Sequence, residues 1–160
     1  MRIFLDTEFT DFLNCELLSL GLVTERGEEF YAELVDTDRS LCSDFARVAV
    51  LPQLDRDPAA SCIEAELSLR LLSWLSTFRS AEPLMICVDH PTDWELFTYL
   101  VRDPETLLTP PWMKGQSIAA AIDPRRVEEY WEVHGRRSHH ALHDARANRY
   151  AYLRGARSES

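Results

Sequence analysis

Two acidic residues stand close together near the start of the chain, in the segment Ile-Phe-Leu-Asp-Thr-Glu-Phe-Thr. Asp6 and Glu8 occupy alternate positions at the end of an apolar run that is typical of a β-strand. Side chains two positions apart on a strand share one face, roughly 6.5 to 7 Å apart, so both carboxylates can bind one hard divalent cation. The pair therefore predicts metal chemistry, with an edge strand bearing a solvated acidic face as the alternative.

A second group of ionisable residues lies near the C-terminus, in Ser-His-His-Ala-Leu-His-Asp. Asp144 falls within the first turns of the last predicted helix, and His139 lies five residues earlier in the incoming loop. The imidazole can face a site that the carboxylate lines, and a base beside a metal-bound water is what hydrolysis needs. His139 and His143 also have the spacing of a helical zinc-binding pair, which leaves a zinc site as an alternative.

A further acid, Asp93, follows the continuous apolar run at residues 84–88. In open α/β sheets, ligands bind in the crevice beyond the strand ends. Asp93 is therefore a candidate metal ligand, and Asp89 in the same segment competes with it for that role. The alternative for Asp93 is an acid in the first turn of a helix, stabilised by the helix dipole.

The elements that must position these residues predict an α/β domain with a mixed sheet. Strands are expected at residues 1–6, 16–24 and 28–35, the last two joined by a turn at 25–27, which gives an antiparallel hairpin start. The run at 84–88 is expected to be a central strand, buried on both faces and parallel to the first. Helices are expected at residues 44–51, 61–78, 92–101, 123–135 and 140–153, with Ser61 and Glu64 forming a capping box.

Composition bounds the class of protein. The chain has 160 residues, of which 46% are hydrophobic and 28% charged, which fits one domain over residues 1–154 followed by a loose tail at 155–160. It shows neither a membrane-spanning run nor a signal segment, so we expect a cytoplasmic protein without a membrane partner. The cysteines are too scattered for a zinc grouping and are expected to be reduced and mostly packed: Cys15, Cys42, Cys62 and Cys87.

The formal net charge of -10 argues against a nucleic-acid binder held by a broad basic face. It does not exclude a nuclease, because acids that crowd one site to hold divalent ions are locally neutralised, and the ions themselves attract phosphate.

The order and spacing of Asp6-Thr-Glu8, Asp93 and His139-x-x-x-x-Asp144 resemble the motifs of the DEDD 3'-5' exonucleases, in the branch with a histidine. That family has a ribonuclease H-like fold and includes ribonuclease T, oligoribonuclease and proofreading subunits of DNA polymerases. Further segments are similar to the small exoribonuclease AS group, whose described substrate is the adenylate-rich 3' end of RNA: Asp-Thr-Glu-Phe, Phe30-Tyr-Ala-Glu33, Asp44-Phe-Ala-Arg47 to Val50-Leu-Pro52, and Asp93-Trp94. Thr92 stands where many relatives have an aromatic residue, which leaves Asp89 open as the third acid.

The resemblance implies roles for the acids and the histidine. Asp6 would bridge two divalent cations, Mg²⁺ or Mn²⁺, and Glu8 and Asp144 would complete the shell of one ion. Asp93 would hold the second ion. His139 would take the proton from the attacking water.

Substrate contacts are less specified by the sequence. Phe9 and Trp94, each beside a candidate ligand, could stack on nucleobases, with core packing as the alternative for both. Thr7, between the two acids of the first motif, is a further candidate. The predicted function is a metal-dependent 3'-5' exoribonuclease acting on single-stranded RNA ends. The alternatives are a DNA exonuclease of the same chemistry and a non-catalytic nucleic-acid-binding module, and the resemblance also implies a homodimer.

Overall fold

A mixed six-stranded sheet carries the fold. The structure is a computed structural model that describes residues 1–135 and 137–156. The strands, in the order β4-β3-β2-β1-β5-β6 across the sheet, are β1 Arg2–Phe9, β2 Leu17–Thr24, β3 Glu29–Leu34, β4 Ser61–Cys62, β5 Leu84–Val88 and β6 Met113–Ser117. The helices are α1 Glu64–Ser76, α2 Pro91–Val101, α3 Pro124–His134 and α4 Ala141–Ala156. Short helical turns span Arg39–Leu41, Ala46–Val50 and Leu51–Gln53.

Strand β1 lies inside the sheet, antiparallel to β2 and parallel to β5. Its odd-numbered residues Ile3 and Leu5 belong to the main core, which also holds the buried leucines of α1 and Phe97 of α2. Phe4 belongs to a second core, on the other face, with residues of α4. Asp6 and Glu8 continue the series of Phe4, so the alternation that fills two cores also turns both acids towards α4.

A close approach between α4 and the sheet fixes where that helix begins. Gly21 of β2 pairs with Asp6 in the register of the two strands. A Cβ atom at Gly21 would overlap the backbone of Ala141 and Leu142. Because this position has no side chain, the first turn of α4 can lie directly on the sheet next to Asp6.

The predicted fold class is confirmed: the sheet begins with an antiparallel hairpin, has a parallel inner strand at residues 84–88 and is flanked by helices. Asp123 caps α3 through its side chain, and Gly135 follows the helix with a φ of +77°, as the sequence indicates.

Several elements differ from prediction. The strand β6 was not expected, because its Met-Lys-Gly-Gln-Ser sequence is mostly exposed and lacks an apolar alternation. The predicted capping box is wrong: Ser61 belongs to β4, and the backbone N–H of Glu64 donates to the carboxylate of Asp36 at 3.2 Å. The helix expected at 44–51 is a π-helical turn followed by a 3-10 turn.

The last helix also extends beyond its predicted end, since α4 continues to Ala156. Residues 157–160 of the predicted tail lie outside the described residues. All four cysteines are free thiols, and three of them are buried, Cys15 being exposed. None of the helices that the structure describes is both long enough and apolar enough to cross a bilayer.

Candidate active site

The acids that the sequence singled out converge in one cleft of about 690 Å³. Potential ligand oxygens of Asp6, Glu8 and Asp144 lie within 4.8 Å of one another, and so do those of Asp6, Asp89 and Asp93. Asp6 belongs to both groups. Residues from β1, from the end of β5, from α2 and from α4 therefore form two adjoining sets of oxygen ligands that share one carboxylate.

Both candidates for the third acid, Asp93 and Asp89, lie beside Asp6, but they are held differently. Asp93 is only 3% exposed, and its Oδ1 accepts hydrogen bonds from the backbone N–H of Thr7 at 3.1 Å and from its Oγ1 at 2.6 Å. Asp89 is partly exposed, and its Oδ1 accepts no hydrogen bond from the described residues. Asp93 is thus the acid whose orientation the fold fixes. Thr7 lines the cleft, but its hydroxyl and N–H are both committed to Asp93, which makes it a residue that orients a carboxylate.

Asp144 ties the start of α4 to the loop that precedes it. Its Oδ2 accepts the backbone N–H of His139 at 2.6 Å and that of His140 at 3.1 Å. The same carboxylate therefore contributes to the acidic group and fixes the backbone that carries His139.

The pKa values of the acids in this cluster are raised, as expected of buried carboxylates that lie close to one another. Burial, followed by repulsion from Asp144 and Asp93, raises the pKa of Glu8 to about 8. Burial raises the pKa of Asp144 to about 7, against the lowering effect of the two backbone N–H groups. Burial also raises the pKa of Asp93 to about 6 despite the hydrogen bonds from Thr7, and it raises that of Asp6 well above its usual range, with the neighbouring acids adding to it.

No arginine or lysine that the structure describes forms an ion pair with these acids. Close oxygen donors that repel one another when ionised are the donor set of a hard divalent cation, so the residues present fit Mg²⁺ or Mn²⁺.

His139 borders the same cleft, as predicted. The rings of His139 and Phe45 pack edge to face, with centroids 4.8 Å apart and an interplanar angle of 87°. The backbone of His139 has a φ of +67°, an uncommon conformation for a residue with a side chain. The structure therefore unites the C-terminal motif with the acids of β1 and places an imidazole beside them.

The zinc alternative is not supported. His143 does not line the cleft; its ring lies against His140, with centroids 4.6 Å apart, and its Nδ1 is 3.4 Å from the guanidinium of Arg146. Among the described residues, the side-chain groups close enough to share an ion contain carboxylates alone. His139 lies in the loop before α4, whereas His143 lies on α4 itself. The two residues are therefore not on one helix, and the four-residue spacing does not bring their rings together.

The two aromatic candidates separate. Phe9 lines the cleft and meets Phe12 edge to face, with ring centroids 5.0 Å apart. Trp94 lies outside it, in the main core, where it stacks on Phe97 at 5.7 Å and covers Gly115 of β6. For Trp94 the structure thus favours core packing over a substrate contact.

Sequence reasoning gave no functional role to several side chains of the cleft wall, among them Phe12, Phe45 and Asn148. Phe12 is 71% exposed and Phe45 is also exposed, so both present apolar rings at the rim. Asn148 lies one helical turn after Asp144 and is only 7% exposed, yet its amide has no hydrogen-bond partner in the part of the chain that the structure describes. The four-residue interval from Asp144 was the signal that could have found Asn148.

Comparison with known proteins gives relatives over part of the chain. Two curated 3'-5' exoribonucleases of Mycobacterium tuberculosis, from strains CDC 1551 / Oshkosh and ATCC 25618 / H37Rv, are each 39% identical over 72 residues. That match covers 44% of this chain and 42% of each relative, so the chain matches less than half the length of these relatives. No family model matches.

A solved structure matches nearly the whole chain. It is described as the crystal structure of a full-length 3'-exonuclease, with a TM-score of 0.59 and 13% sequence identity, and the match covers 99% of this chain and 82% of that one. The likeness shows that the chain has the fold of that exonuclease.

Proposed function

We propose that this chain is a metal-dependent 3'-5' exoribonuclease of the DEDD type with a histidine, most similar to the exoribonuclease AS group. The observation that carries the proposal is the cleft itself, in which Asp6 is shared by two sets of carboxylates and His139 lies beside them. The names of the partial relatives and the exonuclease fold support the same reaction class.

The residues would hold two divalent cations, Mg²⁺ or Mn²⁺. Asp6, Glu8 and Asp144 would ligate one ion, and Asp6 with Asp93 would ligate the other, with Asp89 beside it. When bound, such ions neutralise the phosphate, activate a water nucleophile and stabilise the leaving oxygen. The raised pKa values of these carboxylates support the assignment, because each acid gains from a nearby positive charge.

His139 would act as the general base. Its imidazole accepts the proton of the attacking water, and the histidine loop is held by Asp144, so the base and the acids keep one geometry. Thr7 would keep Asp93 aimed at the site through its two hydrogen bonds. These residues would provide positioning and proton transfer, two of the contributions that side chains make to phosphodiester hydrolysis.

The RNA would contact aromatic rings and an amide side chain that line the cleft. The rings of Phe9 and Phe12 offer faces for base stacking, which tolerates any base. The side-chain amide of Asn148, which has no hydrogen-bond partner among the described residues, offers one donor group and one acceptor to a nucleotide. Stacking together with a single amide suits a single strand, whose bases are unpaired and accessible.

The proposal is tested by gel-resolved digestion of single-stranded RNA labelled at either end, beside DNA of the same sequence, with Mg²⁺, Mn²⁺ or EDTA. We expect a ladder that shortens from the 3' end of RNA with either metal and no cleavage in EDTA. Asp6→Asn should abolish the ladder. Glu105→Gln, which removes one charge from an exposed side chain away from the cleft, should leave it unchanged.

Other outcomes overturn parts of the proposal. Equal cleavage of DNA would make the protein an exonuclease without selection for the sugar. RNA that is bound but intact under every metal would favour a binding module on this fold.

A further inference from the structure

Gln53 connects the histidine loop to a distant part of the chain. It ends the 3-10 turn Leu51–Gln53, and its Nε2 lies 2.8 Å from the carbonyl oxygen of Ser138 and 2.8 Å from that of His139. The same nitrogen lies 2.9 Å from the carbonyl oxygen of Ala49. One amide thus bridges two segments that are 85 or more residues apart in sequence.

The chemistry of these contacts specifies an amide. The –NH₂ group of glutamine has two hydrogens, and at Gln53 it faces carbonyl oxygens alone. A glutamate at this position would turn a carboxylate oxygen towards the same carbonyls, and a methionine would fill a similar volume without any donor. Both replacements remove the bond while keeping the length of the side chain.

The contact from Gln53 is made to a residue with a strained backbone. His139 adopts a φ of +67°, which costs free energy for a residue with a Cβ and persists only when its surroundings hold it. Asp144 binds the N–H of His139, and Gln53 binds its carbonyl oxygen. Phe45, from the same segment as Gln53, packs against the ring. The residue that carries the imidazole is therefore held at its N–H, its carbonyl and its side chain.

We propose that Gln53 is a positioning residue, which holds the His139 imidazole in place for proton transfer. Residues 45–53, which contribute no candidate metal ligand, thereby take part in the reaction by fixing the histidine loop. The inference rests on the proposed function, because it assigns His139 the role of the base. Gln53 itself does not line the cleft, so it acts through His139 rather than on the RNA.

Kinetics of Gln53→Met and Gln53→Glu test the proposal, alone and combined with His139→Ala, on a short single-stranded RNA with Mn²⁺. We expect kcat to fall about 10- to 100-fold with KM within about threefold, because a displaced base slows the reaction without weakening binding. In the His139→Ala background neither substitution should lower kcat further. An equal loss of kcat in both backgrounds, or an effect confined to KM, would overturn the proposal.

Gln116→Met is the matched control. Gln116 is a half-buried glutamine whose amide lies near Tyr152 and Cys87, away from the cleft, so its substitution should leave kcat and KM unchanged. If Gln53→Met fails to fold by circular dichroism, Gln53→Asn takes its place, since it keeps the amide but cannot reach both carbonyls.

A second readout is independent of activity. In the metal-free protein, the ¹H–¹³C cross-peak of the His139 ring, assigned by its loss in His139→Ala, should move or broaden in Gln53→Met and stay in place in Gln116→Met. An unchanged cross-peak in Gln53→Met overturns the positioning role even if the enzyme slows. If the wild-type protein cleaves no RNA, the proposed function fails, and the cross-peak still decides whether Gln53 holds His139.

Discussion

Asp6 is repelled by four other carboxylates of the cleft. Its pKa is raised by burial and then by Asp144, Asp93, Glu8 and Asp89, and it belongs to both sets of potential ligands. The same carboxylate therefore lowers the stability of the metal-free protein and is the shared ligand of the proposed metal site. A functional residue that opposes stability in this way is best identified by a substitution that raises the stability of the metal-free protein and lowers metal-dependent activity.

Asp6→Asn is expected to stabilise the metal-free protein at pH 7.5 by about 1 kcal/mol, or about 2 to 4 °C in Tm, because it removes a buried charge from a repulsive cluster. The same change should lower the rate of RNA hydrolysis by about 10³-fold or more, because the ligand shared by both sets is lost. Calorimetry in EDTA and a single-turnover assay measure the two effects. A destabilised Asp6→Asn protein, or one active in Mg²⁺, contradicts the assignment.

Asn148→Ala tests a proposed substrate contact in the cleft. We expect kcat/KM for single-stranded RNA to fall about 3- to 10-fold, mainly through KM, because one hydrogen bond to the substrate is lost. The affinity for Mn²⁺, measured by calorimetric titration, should stay unchanged, since Asn148 belongs to neither ligand set. Asn148→Asp should lower kcat/KM further by adding a negative charge beside the phosphates. Wild-type kinetics in Asn148→Ala would remove this residue from the substrate contacts.

At the scale of elements, the geometry of the site depends on how α4 meets the sheet. Gly21→Ala inserts a methyl group where the backbone of Ala141 and Leu142 lies, so α4 must move away from β1. We expect a loss of about 1 to 3 kcal/mol in the free energy of unfolding and weaker Mn²⁺ binding, because Asp144 moves with the helix. Denaturant unfolding and metal titration measure both.

Gly155→Ala is the matched control for Gly21→Ala. It adds a methyl group to α4 itself. The nearest atom outside the helix, the carbonyl oxygen of Ala121, is at an ordinary contact distance of 3.5 Å. Stability should stay the same or rise, since alanine favours helix over glycine. Equal Mn²⁺ affinity in Gly21→Ala and wild type would show that α4 does not depend on this contact.

The elements also explain what the sequence could predict. Alternation along β1 predicted that Asp6 and Glu8 share a face, and the loop-to-helix pattern placed His139 near Asp144. Trp94 was a candidate for base stacking because it follows Asp93, with core packing as the alternative. Successive residues on a helix point about 100° apart, so Asp93 faces the cleft and Trp94 the core. Strand β6 was not predicted because its pairing with β5, rather than a pattern in its own side chains, makes it a strand. Gln53 depends on contacts between distant segments, which no local pattern encodes, whereas the four-residue interval from Asp144 could have identified Asn148.

For the whole molecule, the cluster links stability to pH and to metal. Glu8, Asp144 and Asp93 have pKa values of about 8, 7 and 6 in the folded protein, above those of ordinary carboxyl groups. The folded state therefore binds more protons than the unfolded state across this range. Stability contributed by these groups is present below about pH 4 and is lost as the pH rises through about 6 to 8. In the proposed site a divalent cation would replace the protons, so metal and proton would act on the same carboxylates.

We expect the metal-free wild-type protein to lose more stability between pH 5 and pH 8 than Asp6→Asn does, since the substitution removes the shared member of the cluster. Comparing the two proteins cancels the contribution of exposed groups, such as Glu29, whose pKa is lowered by Arg146. Mn²⁺ at about 100 times its Kd should raise the stability of the wild-type protein by about 2.7 kcal/mol for each ion bound at pH 8, and by less at pH 5, where protons compete for the carboxylates. Thermal unfolding across this pH range, in EDTA and in Mn²⁺, provides the measurement. Parallel pH profiles for the two metal-free proteins, or an Mn²⁺ effect that does not change with pH, would mean that these acids do not form one metal-binding cluster.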